Sequence, residues 1–549
     1  MPDELQLPGI DPIQRQRLYQ ERPWELLPFL LRPCQVKILM VTDRGGSFGS
    51  DSFGLSALLS ALSVPPGPWA RFDITTANRQ SDPTASLQNF RFDRHDLRAY
   101  SQIWMFGVQR TGDQDLGEAE LRAIAQFMDA GGGVFATGDH EDLGAAMCRR
   151  IPRVRSMRKW HWPAQGPNGE PVAPNATGVD RHDTRRPGHD TVIDFDDQSD
   201  DVPQRITPRL YPSWRPPWSP LLWPSYPHPL LCGPRGVIRV LPDHMHEGEC
   251  YETQDLSSSL TFDGYTTTEY PSGIAPQVIA WAHVNARTQG EPVHGRSFGV
   301  IGAYDGHRAD VGRVAVDATW HHFFNINLIG VLGHPDPIKA QGFTATAAGR
   351  AALADITAYY RNLGVWLAAP DTQQCMWWRS LWWARWHDRI VMNLRPRFLT
   401  PRVAAPVGEL VRIGAQARDV LGSVASRCTV WRWVGWYLLR RRYPDLWIRL
   451  ERYLDPWTPS PRPEPGLEGE VAVPAHAELL LDAVLGGAVH AVARAFPDHS
   501  EESRNRAEEI DFAELVGADV DRCLEAVIAQ VGDEGRRLGE FGEILRHRG

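Results

Sequence analysis

Cysteine is sparse and unpatterned in this chain. Cys34, Cys148, Cys232, Cys250, Cys375, Cys428 and Cys523 make an odd count with no CxxC pair, which argues against a disulfide framework and predicts free thiols in a reducing compartment. No HExxH zinc-protease signature occurs among the polar clusters, and the glycine-rich loop lacks both the Walker Gly-Lys-Ser/Thr and the dinucleotide GxGxxG spacing. Nowhere do apolar residues run uninterrupted for the roughly 20 positions that a membrane-spanning helix needs. The first residues, Met1-Pro-Asp-Glu-Leu, show no basic-then-apolar signal pattern, so a cytoplasmic location is expected. A net charge of −9 over 549 residues supplies no global basic field and does not recommend nucleic acid as a partner.

What is present is an alternation of apolar runs, turns and helical segments. Val36 to Asp43 reads as a buried strand, Gly45 to Gly54 as a glycine- and serine-rich loop, and Leu55 to Leu62 as a helix. Phe72-Asp-Ile-Thr-Thr and Gln102 to Val108 are further strands. An amphipathic helix from Leu116 stops at the triple glycine Gly131 to Gly133, and Val134-Phe-Ala-Thr137 follows as a fourth strand. Such alternation predicts a parallel sheet with helices on both faces. Strand-like runs resume at Gly236 to Leu241, Gln277 to His283, Ser297 to Gly302 and Arg313 to Val316. Beyond residue 335 the pattern is helical, with candidates at Ala347 to Leu367, Cys375 to Met392, Val407 to Leu421, Cys428 to Leu454, Ala475 to Ala495 and Ala507 to Arg546.

The expected organisation is an N-terminal extension (1–35), an α/β domain (36–335) and a Trp-rich helical domain (336–458). A proline-rich linker (459–466) and a C-terminal helical segment (467–549) complete it. Residues 151–235, crowded with Pro, Trp and Arg, read as an insertion over one edge or mouth of the sheet. The basic run Arg149 to Lys159 reads as a solvated surface or an attractor for an anionic substrate. Trp378, Trp382 and Trp386 recur every four residues. That face predicts a helical core joined to the sheet domain, with a protein-partner or homo-oligomer interface as the sharper alternative.

Chemistry is concentrated in polar clusters at strand ends. Gly138-Asp139-His140-Glu141-Asp142, Asp243-His244-Met245-His246-Glu247, Asp305-Gly306-His307 and Asp317-Ala-Thr-Trp320-His321-His322 each follow a strand-like run. In open α/β sheets ligands bind beyond the carboxyl ends of the strands, so these clusters are expected to meet in one pocket. His244 and His246 project to one side of an extended backbone and, with Asp243, form a candidate divalent-metal set for zinc, manganese or iron. Glu141 or Glu247 then remains to move a proton. The same residues read otherwise as a metal-free acid–base site, or as helix caps and loop anchors. Ser47, in the glycine-rich loop, together with Asp305, His307 and Trp320, is assigned to substrate binding; that loop serves either as an anion cradle or as a structural turn.

The order of these elements resembles the class I glutamine amidotransferase-like fold in its trehalose-utilisation, ThuA-like branch. The likeness rests on the strand Val36 to Asp43, the approach Gly131-Gly-Gly-Val-Phe-Ala-Thr-Gly138 and the late segment from Gly312 to His322, and spans about residues 36 to 335. It implies a flavodoxin-like parallel sheet. It also implies that the turn position is occupied by Asp139 and His140, and the late histidine position by His321 or His322. Amidotransferases carry a cysteine nucleophile at that turn. None stands here and Cys148 lies too far along, so glutaminase activity is not expected. The functional expectation is a hydrolase acting on a small polar, carbohydrate-like or amide substrate through Asp139, His140, Glu141, Glu247, His321 and His322. The rival is a non-catalytic ligand-sensing or protein-interaction module.

Overall fold

The computed structural model describes residues 31–546, except 113–114, 140–142, 161–203, 213–224, 242–248, 285–295, 336–339, 395–404, 449–450, 452–454, 458–476 and 497–500 and the single positions 68, 234, 334, 426, 446 and 456. The chain opens as an alternating α/β unit: β1 (Cys34–Thr42), α1 (Ser56–Ser63), β2 (Ala70–Asn78), β3 (Gln102–Phe106), α2 (Glu118–Asp129) and β4 (Gly133–Thr137). β3 and β4 are buried at every position. That is why they read as continuous apolar runs rather than alternating ones, as parallel strands covered on both faces do. The sheet is completed by β5 (Gln204–Pro208), β6 (Val240–Leu241), β7 (Gln277–Val284), β8 (Arg296–Tyr304) and β9 (Val314–Asp317).

The nine strands lie in the order β6-β5-β7-β8-β9-β4-β3-β1-β2. β2, β1, β3, β4 and β9 run parallel, a flavodoxin-like half-sheet. Because β1 connects outward to β2 and β3 onward to β4, right-handed crossovers place α1 and α2 on opposite faces. β8, β7, β5 and β6 are antiparallel additions. The expected insertion at 151–235 therefore supplies β5, a member of the sheet.

The basic run is the clearest departure from expectation. Arg153, Arg158 and Lys159 are buried, which overturns the reading of a solvated patch. Arg153 donates to the Glu269 carbonyl and to Thr267 and pairs with Asp129, while Arg158 is bonded to backbone carbonyls at the site. A charged run is buried at tolerable cost only where such acceptors surround it.

Beyond the sheet come α3 (Ala347–Trp366), α4 (Pro370–Trp386), α5 (Val407–Ala425), α6 (Ala477–Ala495) and α7 (Phe512–Arg546). These match the helical periodicity closely. Between α5 and α6 the segment expected as one helix starts as an α-helix, Arg427–Trp433, and widens into π-helix over Val434–Arg440. α3 packs on the sheet: Gln102 donates to the Gly364 carbonyl and Arg313 to that of Trp366. One hydrophobic core runs from β1 through α7, so packing is continuous across the boundary expected near residue 335. Trp377, Trp378, Trp382 and Trp383 are all buried in it, as the core reading of the tryptophan face anticipates. Among the described residues no helix is long and apolar enough to cross a membrane.

Cys34 at the start of β1 and Cys375 in α4 form a disulfide that closes 341 positions of chain. The expectation of seven free thiols is thereby corrected; Cys148, Cys232, Cys250, Cys428 and Cys523 remain free. The pairing was invisible in the spacing because it joins elements brought together only by packing α4 against β1. Disulfides persist in oxidising surroundings, so the cysteine pattern no longer speaks for a reducing compartment.

Candidate functional site

The carboxyl ends of β1, β3, β4 and β9 lie side by side at one end of the sheet, next to the reversal of strand order between β1 and β3 at which doubly wound sheets open a crevice. Three glycines let the turns close together there. A Cβ on Gly107 would stand 2.6 Å from the Cα of Gly144, and Gly144 adopts φ +90°, a conformation that favours glycine. Gly138 is similarly pressed against the Leu143 carbonyl.

Asp139 follows this junction. Its carboxylate is buried, accepts a hydrogen bond from Thr319 Oγ1 at 2.8 Å, and faces His321 Nε2 at 3.6 Å. His321 Nδ1 lies 2.7 Å from Asn327 Oδ1. The ring thus stands between two oxygen acceptors, an arrangement satisfied on both sides when the imidazole carries both protons. Thr319 works twice, because its hydroxyl also accepts the His321 amide and caps the short turn Trp320–His322. The His321 side chain is 17% exposed whereas that of Asp139 is fully enclosed, so the histidine and not the acid is accessible from outside.

His322, next in sequence, points the other way. It is completely buried, with Nδ1 2.9 Å from Asp317 Oδ1, and Tyr359 of α3 donates to Asp317 Oδ2 at 2.9 Å. Tyr360 donates to the His322 carbonyl. Burial pushes the Tyr359 hydroxyl well above its usual range, with the Asp317 charge adding to it. This is an internal brace beneath the site.

Arg158 joins the two turns. Its guanidinium donates to the carbonyls of Asp317 (3.1 Å), Lys159 (2.8 Å), Asp139 (2.7 Å) and Ala318 (2.6 Å). Asp43, at the end of β1, accepts from the amides of Val108 (2.8 Å) and Gln109 (3.1 Å) after β3. Burial pushes its carboxyl up from 3.8 to about 6, against the pull of those amides and of Arg79. A raised carboxyl holds its proton more tightly in the folded chain than in the unfolded one. The stability it contributes is therefore fully present below about pH 4 and is lost as the pH rises through about 6. Thermal unfolding of wild type and of Asp43→Asn across this interval should show wild type losing stability relative to the variant as pH rises; parallel curves would refute the shift.

The glycine-rich loop is structural. The amides of Gly46, Ser47, Phe48, Gly49 and Gly54 donate to acceptors within the chain, as do Leu55, Ser56 and Ala57 at the start of α1. Asn325 locks it, donating to the carbonyls of Gly49 and Asp51 while its Oδ1 receives Ala57. These eight amides are thus occupied, and Ser47 is bonded to Asp51.

Asp139 and His321 are brought together as expected. Asp305 and His307 are not: β8 runs antiparallel to β9, with Tyr304 opposite Val314 and Ile301 opposite Asp317, so the residues after β8 emerge at the other edge of the sheet. Asp305 is there paired with Arg313 and Arg432, which corrects the expected single pocket. Trp320 is buried, packing edge-on against Phe53 and Phe324 at 5.2 Å from each; it lies in the floor and presents no open face to a substrate. His140, Glu141, Asp243, His244, His246 and Glu247 lie outside the described residues, and among the described ones no group of three metal-ligating side chains converges. Asn327 and Tyr359 carry no signal in the sequence; Asp43 does, as the polar end of the first strand, and Arg158 stands in the basic run Arg149 to Lys159.

Burial pushes the Cys148 thiol up, and the Asp43 charge adds to the effect; this cysteine is no ready nucleophile. Fold and site together define a doubly wound α/β protein with an aspartate–histidine pair at the carboxyl ends of the neighbouring strands β4 and β9. No family model and no curated protein was found to match the chain.

Proposed function

We propose that the chain is a hydrolase acting on a small polar substrate, carbohydrate-like or amide, at the carboxyl edge of its parallel strands. The observation that carries this reading is the partly exposed His321, fixed by Asn327 and facing the buried Asp139 carboxylate. In this reading His321 takes a proton from the attacking water and returns it to the leaving group, while Asp139 stabilises the imidazolium formed between the two steps. His140 and Glu141, one and two positions beyond Asp139 in sequence, are the proposed partners for the substrate's polar groups. The ThuA-like resemblance supports the choice of substrate class.

A divalent metal held by Asp243, His244 and His246 is a second part of the proposal, resting on their sequence spacing. Purified full-length protein should hydrolyse at least one of a panel of chromogenic glycosides, amides and esters. Elemental analysis of wild type and of a His244→Ala/His246→Ala variant decides the metal. Metal present in wild type and lost in the variant supports the set; no metal in either after reconstitution removes it, and no turnover of any substrate removes the hydrolase.

A further inference from the structure

At the opposite edge of the sheet, where β8 ends and β7 begins, lies a cleft of about 320 Å³, within the size range of small-molecule sites. One wall is apolar, formed by Ile274, Ile279 and the ring of Trp457. The other carries donors. Arg308 is half-buried, and no carboxylate among the described residues lies within ion-pair distance of its guanidinium. Arg432 is more than nine-tenths buried, 5.3 Å from the Trp457 ring, and its Nε hydrogen has no acceptor. Gln277 Oε1 receives the Tyr211 hydroxyl at 2.7 Å, an orientation that leaves the amide nitrogen to donate elsewhere.

The single carboxylate lining the cleft does not cancel these donors. Asp305 accepts from Arg313 Nε at 2.7 Å and from Arg432. Burial opposes its ionisation, but Arg313 and Arg432 outweigh burial and hold it well below the usual carboxylate range. Arg432 also lies 3.8 Å from the buried Asp455 carboxylate, so Arg313 and Arg432 are matched by Asp305 and Asp455, and the cleft's one guanidinium without an ion-pair partner among the described residues is that of Arg308. A ligand bringing one negative charge on a planar, two-oxygen group matches both the charge and the fork geometry of arginine.

We propose that this cleft binds a small carboxylate with a flat apolar body, the carboxylate held by Arg308 and Gln277 beside Arg432 and the body lying between Trp457 and the two isoleucines. The site is distinct from the Asp139–His321 edge and stands whether or not that edge is hydrolytic. A monoanion is preferred over a phosphate monoester because a second charge would find no uncompensated partner.

The test is calorimetric titration of the full-length protein with benzoate, benzamide and phenyl phosphate. Benzoate is expected to bind one to one, benzamide and phenyl phosphate at least tenfold more weakly. Arg308→Ala should weaken benzoate at least tenfold, and Asp139→Asn should leave it unchanged. Ala275→Trp, which fills the cleft from its exposed rim, gives a second variant that keeps the charges and should abolish binding. Benzoate binding that survives both cleft variants, or that is absent up to millimolar concentration, overturns the proposal. Tighter binding of phenyl phosphate overturns the assignment to a carboxylate.

Discussion

Replacing His321 by alanine is expected to lower turnover by roughly 10²–10⁴-fold, the usual contribution of one positioned acid–base group. The change should leave the fold nearly untouched. His321 is partly exposed and its ring is hydrogen-bonded to Asn327, a contact whose loss costs about 1 kcal/mol. His322→Ala is the informative control. That ring is completely buried on Asp317 within the Tyr359 brace, so its removal should destabilise the protein by several times as much while leaving the groups that face substrate in place. Steady-state rates and urea unfolding on both variants give the comparison. If His322→Ala abolishes turnover at full stability and His321→Ala does not, the roles assigned to these neighbours are reversed. Asp139→Asn should reduce kcat more than it alters KM, because in the proposed mechanism the enclosed carboxylate acts through the ring and not on the substrate.

Arg158→Met is expected to destabilise the chain by about 3–5 kcal/mol, the cost of stripping the partner from a buried, fully hydrogen-bonded charge site. The guanidinium binds four carbonyls, that of Asp139 in one turn, those of Asp317 and Ala318 in another, and that of its own neighbour Lys159. Methionine fills much of the volume but donates nothing, and buried carbonyls without donors are expensive. Relief from burying the charge offsets part of the loss. Urea midpoints measure the effect, and a change under about 1 kcal/mol would show that these bonds do not hold the turns together. Since the same turns carry Asp139 and His321, catalytic rates should also fall at temperatures where the variant is still folded.

Much of the site was legible before the structure because its residues sit in runs. The glycine approach to Asp139 and the Asp317-to-His322 segment announce strand ends by local pattern alone. The division of labour between His321 and His322 was not legible. Adjacent residues in a tight turn project in different directions, and only the positions of Asn327, Asp317 and Tyr359 decide which ring is braced and which is open. Arg158 was misread for a similar reason. A run of arginines looks like surface unless the carbonyls that surround it are known, and three of the four around Arg158 come from residues about 20 to 160 positions away.

The sequence by itself determined the elements and their type, because strand and helix periodicity are local properties; β1 through β4 and α3 through α7 lie within a few residues of where the apolar pattern placed them. Only the tertiary structure decided strand direction, and with it which polar clusters meet. The runs that became β8 and β9 look alike in sequence, yet one is antiparallel to the other. A strand carries no local mark of its orientation, which follows from hydrogen bonding to distant partners. That pairing sends Asp305 and His307 to one edge and Asp317 and His321 to the other, so the clusters expected to share one pocket are held apart.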